Sequence, residues 1–221
     1  MEYAKDRNET TMPVFLETHS AALRIWHWLT FIFMMATILT VFIASTFLDT
    51  RSNVGMIERV LQEKGVQATQ EQAFSVAREF EERMWDWHKI LGFGLAVMLI
   101  GRLIIELTQP TEERVRSRMK SAILMSRSGT GDKTDYRHYT VVKWSYFIFY
   151  LALLFLVITG LLLAFSHILG MAGSVRHSIR EIHGAAQYLI YAFVVFHIGG
   201  AIMADLGKFK GVISGMIHGN P

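Results

Sequence analysis

The chain has 221 residues, of which 52% are hydrophobic and 19% charged, with a formal net charge of +3 and no cysteine. Its mean hydropathy of +0.30 excludes a disordered chain, which would be poor in apolar residues, and the gathering of those residues into long blocks argues against an ordinary soluble domain. The lack of cysteine excludes disulfides, thiolate zinc sites, cysteine-ligated iron–sulfur clusters and covalently attached c-type haem, so a redox centre in this chain has to be held by its nine histidines.

Met1–Thr18 mixes acids with bases and has no apolar core, so it is not read as a cleavable signal peptide. The first span, about 24–47, is then expected to act as an uncleaved anchor. Within it Ile25–Phe47 carries no Asp, Glu, Lys or Arg over 23 residues, and about 20 apolar residues suffice to cross the hydrocarbon core as a helix. The polar segment Leu48–Met84 follows. Thr69 with Gln72 three residues later resembles a capping box, and Ala73, Val76, Ala77, Phe80 and Met84 recur on one helical face. This predicts an amphipathic helix over about 56–84 on the outer surface, serving either to dock a partner or to rest on the membrane.

That helix is expected to feed the second span, about 85–107. Lys89, Arg102 and Glu106 interrupt it, but Ile90–Gly101 between them is uncharged. The third and fourth spans, about 143–166 and 182–205, enclose two further charge-free windows, Trp144–Ser166 and Ile182–Ala204. Backbone polar groups facing lipid must be satisfied within the segment, which makes helices the default. The expected fold is an all-α membrane protein, a four-transmembrane-helix bundle with an amphipathic helix in the first outer loop and one domain over residues 1–221.

Lys and Arg set the orientation. With the N-terminus inside, fourteen of the 22 lie on the inner side and eight on the outer, and the bias sits mainly in the loop Thr108–Lys143. Both termini are therefore expected in the cytoplasm. The basic character reads as topology in contact with lipid, and no aromatic-interleaved basic motif points to nucleic acid.

Ionisable groups inside a span are costly and mark function by default. Four histidines qualify: His27 in the first span, His88 in the second, His183 and His197 in the fourth. His183 and His197 are fourteen residues apart, nearly four helical turns, so they share a face roughly 21 Å apart along the axis. By depth, His27 matches His197 on the inner side and His88 matches His183 on the outer side. Two neutral imidazoles facing each other in an apolar bundle suit haem b, whose iron takes axial histidines and whose porphyrin is a large apolar disc. Zinc would want four ligands in one place, and the plain structural alternative is hydrogen bonding between helices. His167 and His177 compete for the outer positions. His19, His138 and His218 are read as solvated.

Arg24, three residues before His27, and Arg102, fourteen after His88, share the faces of those histidines. Both are candidates to hold propionates of the inner haem or a quinone carbonyl, with snorkelling to headgroups as the alternative. Lys89, Arg176 and Arg180 are weaker candidates for outer propionates. Gly92, Gly94, Gly160, Gly184, Gly199 and Gly200 would let a porphyrin or a helix come close.

The run Arg24-Ile-Trp-His27-Trp-Leu-Thr, with Val157-Ile-Thr-Gly160, Ile182-His183, Ala192-Phe-Val-Val-Phe-His197 and the tail Val212-Ile-Ser-Gly-Met-Ile-His-Gly, resembles the b-type cytochrome subunit of membrane-bound nickel–iron hydrogenases. Formate dehydrogenase gamma subunits look similar. The resemblance implies two b haems on the four matching histidines, a peripheral iron–sulfur subunit at the outer face, a quinone reacting within the membrane, and location in the bacterial inner membrane. The expected role is a di-haem electron-transfer subunit of a respiratory oxidoreductase. The alternative is a stand-alone four-helix cytochrome b exchanging electrons between quinol and a small diffusible partner. The segment Leu48–Met84 departs from what the hydrogenase resemblance leads one to expect.

Overall fold

The structure, a computed structural model, describes residues 20–108, 133–207 and 210–219 with Lys120, Ile123 and Leu124, and of 133–139 the backbone alone. Met1–Thr18, His19, most of the loop Thr108–Lys143 and the His138 side chain lie outside the described residues. Among the described residues every regular element is helical: α1 (Ala21–Thr46), α2 (Thr50–Glu63), α3 (Gln70–Thr108), α4 (Lys133–Ala164), α5 (Gly173–Leu206) and α6 (Val212–His218).

Four of these, α1, α3, α4 and α5, are long and apolar enough to cross a membrane, which gives the four-helix all-α membrane fold. The helices overrun the apolar windows. α1 starts three residues before Arg24, α4 about ten before its expected start, and α5 nine before Ile182. Hydropathy marks where lipid begins, whereas a helix continues through polar residues until a cap stops it. Many large apolar side chains on the four helices, among them Ile32, Leu39, Ile90, Val97, Ile148 and Phe196, are exposed on the isolated chain. That is the surface lipid would cover.

The chain divides into two compact units. The first comprises Trp26–Ile104 and Ala152–Gln187; the second comprises Met1–Ile25, Ile105–Leu151 and Tyr188–Pro221.

In the first unit the segment after α1 differs from the single helix expected over 56–84. It forms two helical pieces. Asp49 caps α2, its Oδ1 accepting from the Ser52 amide at 2.9 Å and the Ser52 hydroxyl at 2.5 Å. Gly65, at φ +75°, ends the helix. Its N–H reaches the Gln62 carbonyl and that of Val66 reaches Leu61, both at 2.9 Å, a Schellman stop that needs a residue without Cβ. The next helix opens on the expected capping box. The Thr69 amide donates to Gln72 Oε1 at 2.9 Å and the Gln72 amide to Thr69 Oγ1 at 3.3 Å. From there α3 runs without a break for 39 residues.

The expected apolar face is only partly used. Ala73 and Ala77 are buried against Val54 and Ile57 of α2, while Val76 and Phe80 are exposed. Two alanines give α2 a flat seat, so the larger side chains beside them are left outside the contact. Glu81 fixes the far end of this hairpin. Its carboxylate accepts from the Thr50 amide at 3.0 Å, the Thr50 hydroxyl at 2.5 Å and the Trp85 indole at 3.0 Å.

In the second unit the short α6 is held at both ends. Asp205 Oδ1 accepts from the Gly211 and Ile213 amides at 3.0 and 3.1 Å. Arg24 Nη1 donates to the Ile217 carbonyl at 3.2 Å, a cation at a helix C-terminus.

The Asp49 cap makes a pH-dependent prediction. The hydrogen bonds from the Ser52 hydroxyl and amide, with Arg51 adding to them, hold the Asp49 carboxyl below its ordinary value. A carboxylate favoured in the folded state stabilises the fold above its unfolded pKa, and that contribution is lost as pH falls through the folded one. Amide hydrogen exchange in α2 is therefore expected to quicken as pH falls below the usual carboxylate range, after correction for intrinsic rates. Asp49→Ala should show faster exchange already at neutral pH and a weaker acid dependence, the remainder coming from Glu81 on Thr50.

Candidate functional site

Two of the four candidate histidines come together inside the first unit. His88 lies one turn beyond Trp85 on α3, and His183 lies in the first third of α5. Their ring centroids are 6.4 Å apart with planes at 86°. Trp85 meets the His88 ring edge-on at 5.6 Å.

Each imidazole is held from a different helix. Thr40 of α1 has its Oγ1 3.1 Å from His88 Nδ1 and 2.6 Å from the Thr37 carbonyl. Thr159 of α4 has its Oγ1 2.7 Å from His183 Nδ1, and 2.8 and 3.2 Å from the Phe155 and Leu156 carbonyls. A hydroxyl has one proton to give; given to a carbonyl of its own helix, it leaves the oxygen to accept from an Nδ1–H. A ring held in that way is the tautomer whose Nε2 carries the lone pair. Donation of the other ring N–H to a fixed acceptor is what orients a metal-ligating histidine.

The spacing suits a metal between the rings. An imidazole nitrogen sits about 2.0–2.1 Å from a first-row metal ion and the ring centre roughly 1.1 Å further, so rings on opposite sides of one ion stand roughly 6 Å apart. Among the described residues no group of three or more His, Cys, Asp or Glu gathers, which is the donor set a structural zinc would require. Two imidazoles this close among apolar helices are a donor set that would fit haem b.

The glycines fall into two groups. A Cβ on Gly160 would stand 3.3 Å from His183 Cε1, and one on Gly94 would run into the Phe33 ring. Gly160 thus seats a candidate ligand, and Gly94 serves helix packing. Gly92, one turn beyond His88, and Gly184, beside His183, have no atom within 4 Å of where a Cβ would stand.

The other candidates are placed as follows. His27 meets Trp28 edge-on at 5.4 Å in the first unit. In the second unit, His197 stacks on Phe193 at 5.3 Å and 8° and meets Tyr146 at 5.8 Å. His27 and His197 belong to different units. Arg24 is engaged at the end of α6. Arg102 has its guanidinium carbon 5.9 Å from the Trp26 ring, whose indole donates to the Met98 carbonyl at 2.6 Å. His167, His177 and His218 are exposed. Thr40 and Thr159 escaped the sequence reading because threonine inside a span ordinarily bonds back to its own helix, and spacing alone does not show which of them meets a ring.

The fold and this pair define a class: a multi-pass membrane protein with paired imidazoles set into its apolar interior. A sequence model of the family described as prokaryotic cytochrome b561 matches residues 18–219, and the chain belongs to that family. It is thus a haem b electron-transfer protein of the inner membrane. No curated protein and no solved structure matches it.

Removing either hydroxyl should loosen its ring and free it to adopt the other tautomer. Thr40→Val and Thr159→Val are each expected to lower haem affinity at this pair about 10- to 100-fold, read by haem titration of the purified apoprotein. Thr→Ser at either position should restore most of it.

Proposed function

We propose that the chain is a di-haem b transmembrane electron-transfer subunit linking a peripheral iron–sulfur oxidoreductase of the hydrogenase type to the quinone pool. The observation that carries this reading is the pair His88 and His183, whose rings stand 6.4 Å apart with a threonine hydroxyl at each Nδ1. Within it, His88 and His183 hold the outer haem and His27 and His197 the inner one. The second pair is argued from the sequence: one uninterrupted helix carries both His183 and His197, and His27 stands at the depth of His197 when the N-terminus is inside.

Haem b supplies a one-electron redox centre when bound. The chain's own residues do the rest. The histidines present lone pairs at fixed positions, the threonines hold the rings against rotation, and the apolar helices keep water and competing ligands away. His88 and His183 would hold the group, and an iron held by two imidazoles would suit electron transfer rather than oxygen binding. The excess of Lys and Arg on one side supports a cytoplasmic location for both termini. The hairpin of α2 with the start of α3, which keeps Met56, Val60, Phe74 and Phe80 exposed, supports a partner subunit at the outer face. Arg102 is the residue assigned to a quinone carbonyl or an inner propionate.

The test is haem content and visible spectrum of the protein taken from native membranes in mild detergent, with identification of what accompanies it. Two haems per chain and an iron–sulfur subunit are expected. His197→Ala should remove one haem and leave the other, and His183→Ala should remove the complementary one. A variant of either kind that keeps both haems would overturn the pairing. A chain that comes out alone, fully loaded and able to oxidise quinol, would point instead to the stand-alone cytochrome.

A further inference from the structure

The first unit has a cavity of about 410 Å³ walled by α3, the end of α4 and the start of α5. Trp85 forms part of its wall and touches the His88 ring with its edge. The lining carries three fixed cations, Lys89, Arg176 and Arg180, with His167 beside them.

The two acids in the lining do not neutralise all of these. Asp86 pairs with Lys89 at 2.5 Å. Glu82 pairs at 2.6 Å with Arg78, which is not part of the lining. Among the described residues Arg176 and Arg180 form no ion pair, so two cations of the lining are not paired by its acids. They are also placed by the candidate ligand's helix. Arg180 is three and Arg176 seven residues before His183, so both share its face, about 4.5 and 10.5 Å along the axis. Planar guanidinium forks suit carboxylates, which they bind through two parallel hydrogen bonds.

We propose that this cavity is a dicarboxylate site, and that Arg176 and Arg180 bind the two propionates of the outer haem b. The inference rests on the haem reading of His88 and His183. It adds the residues that orient the porphyrin about its iron and set the charge around it. Two unmatched cations meet two carboxylates on the face of the same helix that presents the axial histidine. A soluble dicarboxylate offers the same chemistry, and the experiment separates the two occupants.

The test uses the full chain in detergent, in a His197→Ala background in which the outer haem alone remains. Arg176→Ala/Arg180→Ala removes charge that offsets the propionates and favours the reduced iron. The midpoint potential of the haem is expected to move negative and to become more dependent on pH, while Arg176→Lys/Arg180→Lys stays close to the parent. Loss of the haem in the alanine pair with retention in the lysine pair also supports the proposal. Loss in both pairs, or a loaded alanine pair with the parent's potential and pH dependence, overturns it while leaving the haem reading intact. A potential in the parent that responds to added succinate, with the response abolished in the alanine pair, overturns it in favour of a free dicarboxylate. A parent chain that binds no haem sinks the haem reading itself.

Discussion

The arrangement depends on one problem of burial. An imidazole set in an apolar bundle needs a partner for one ring nitrogen, because an unsatisfied buried polar group costs about 1–3 kcal/mol. If it is to bind a metal, that partner must leave the other nitrogen's lone pair alone. A carboxylate would solve the first need by bringing a second costly charge into the membrane. A threonine that already donates to its own helix solves both, since its hydroxyl has only acceptor capacity left. Thr40 and Thr159 have the contacts of such threonines, each hydroxyl lying against a carbonyl of its own helix and an imidazole Nδ1. The site therefore takes all four long helices, with α3 and α5 providing rings and α1 and α4 holding them. α4 has no candidate ligand within the membrane, and its place in the site shows in Thr159 and Gly160 against His183.

The second constraint is register. A helix keeps two residues on one face over fourteen positions only if it does not break between them, and α5 runs from Gly173 to Leu206 without interruption. Gly184, Gly199 and Gly200 lie inside it and would weaken a helix in water, where glycine costs about 1 kcal/mol relative to alanine. In hydrocarbon the penalty for an unpaired peptide group outweighs that cost, so the helix continues and the spacing of His183 and His197 is preserved. Each compact unit holds one of these two histidines.

The spans were legible in the sequence because charge-free windows of 23 residues have one economical fate in lipid. The joining of His88 with His183 was legible because depth and periodicity are linear in the chain. The break at Gly65 was not read, although the glycine stood in view. Apolar residues on both sides continue a plausible pattern, and only the positive φ shows that the helix stops there. Arg24 illustrates a different obstacle. It shares a face with His27, and its hydrogen bond to Ile217, 193 residues away in the sequence, was not read. No local pattern encodes such a contact.

That contact explains more than the placing of one arginine. A seven-residue helix is far too short to persist alone in water, so α6 owes its form to what holds its ends. Asp205 of α5 binds the amides at its start, and Arg24 of α1 binds a carbonyl at its end. Gly219, at φ +87°, lets the chain turn there, and a Cβ at that position would stand 2.6 Å from the guanidinium. One residue comes from the helix that carries His27 and the other from the helix that carries His197. The tail thus acts as a brace between the two helices that supply the second candidate pair, built from complementary charge at the two ends of a helix dipole. Charge at the end of the spans serves here to hold the short tail helix at both of its ends.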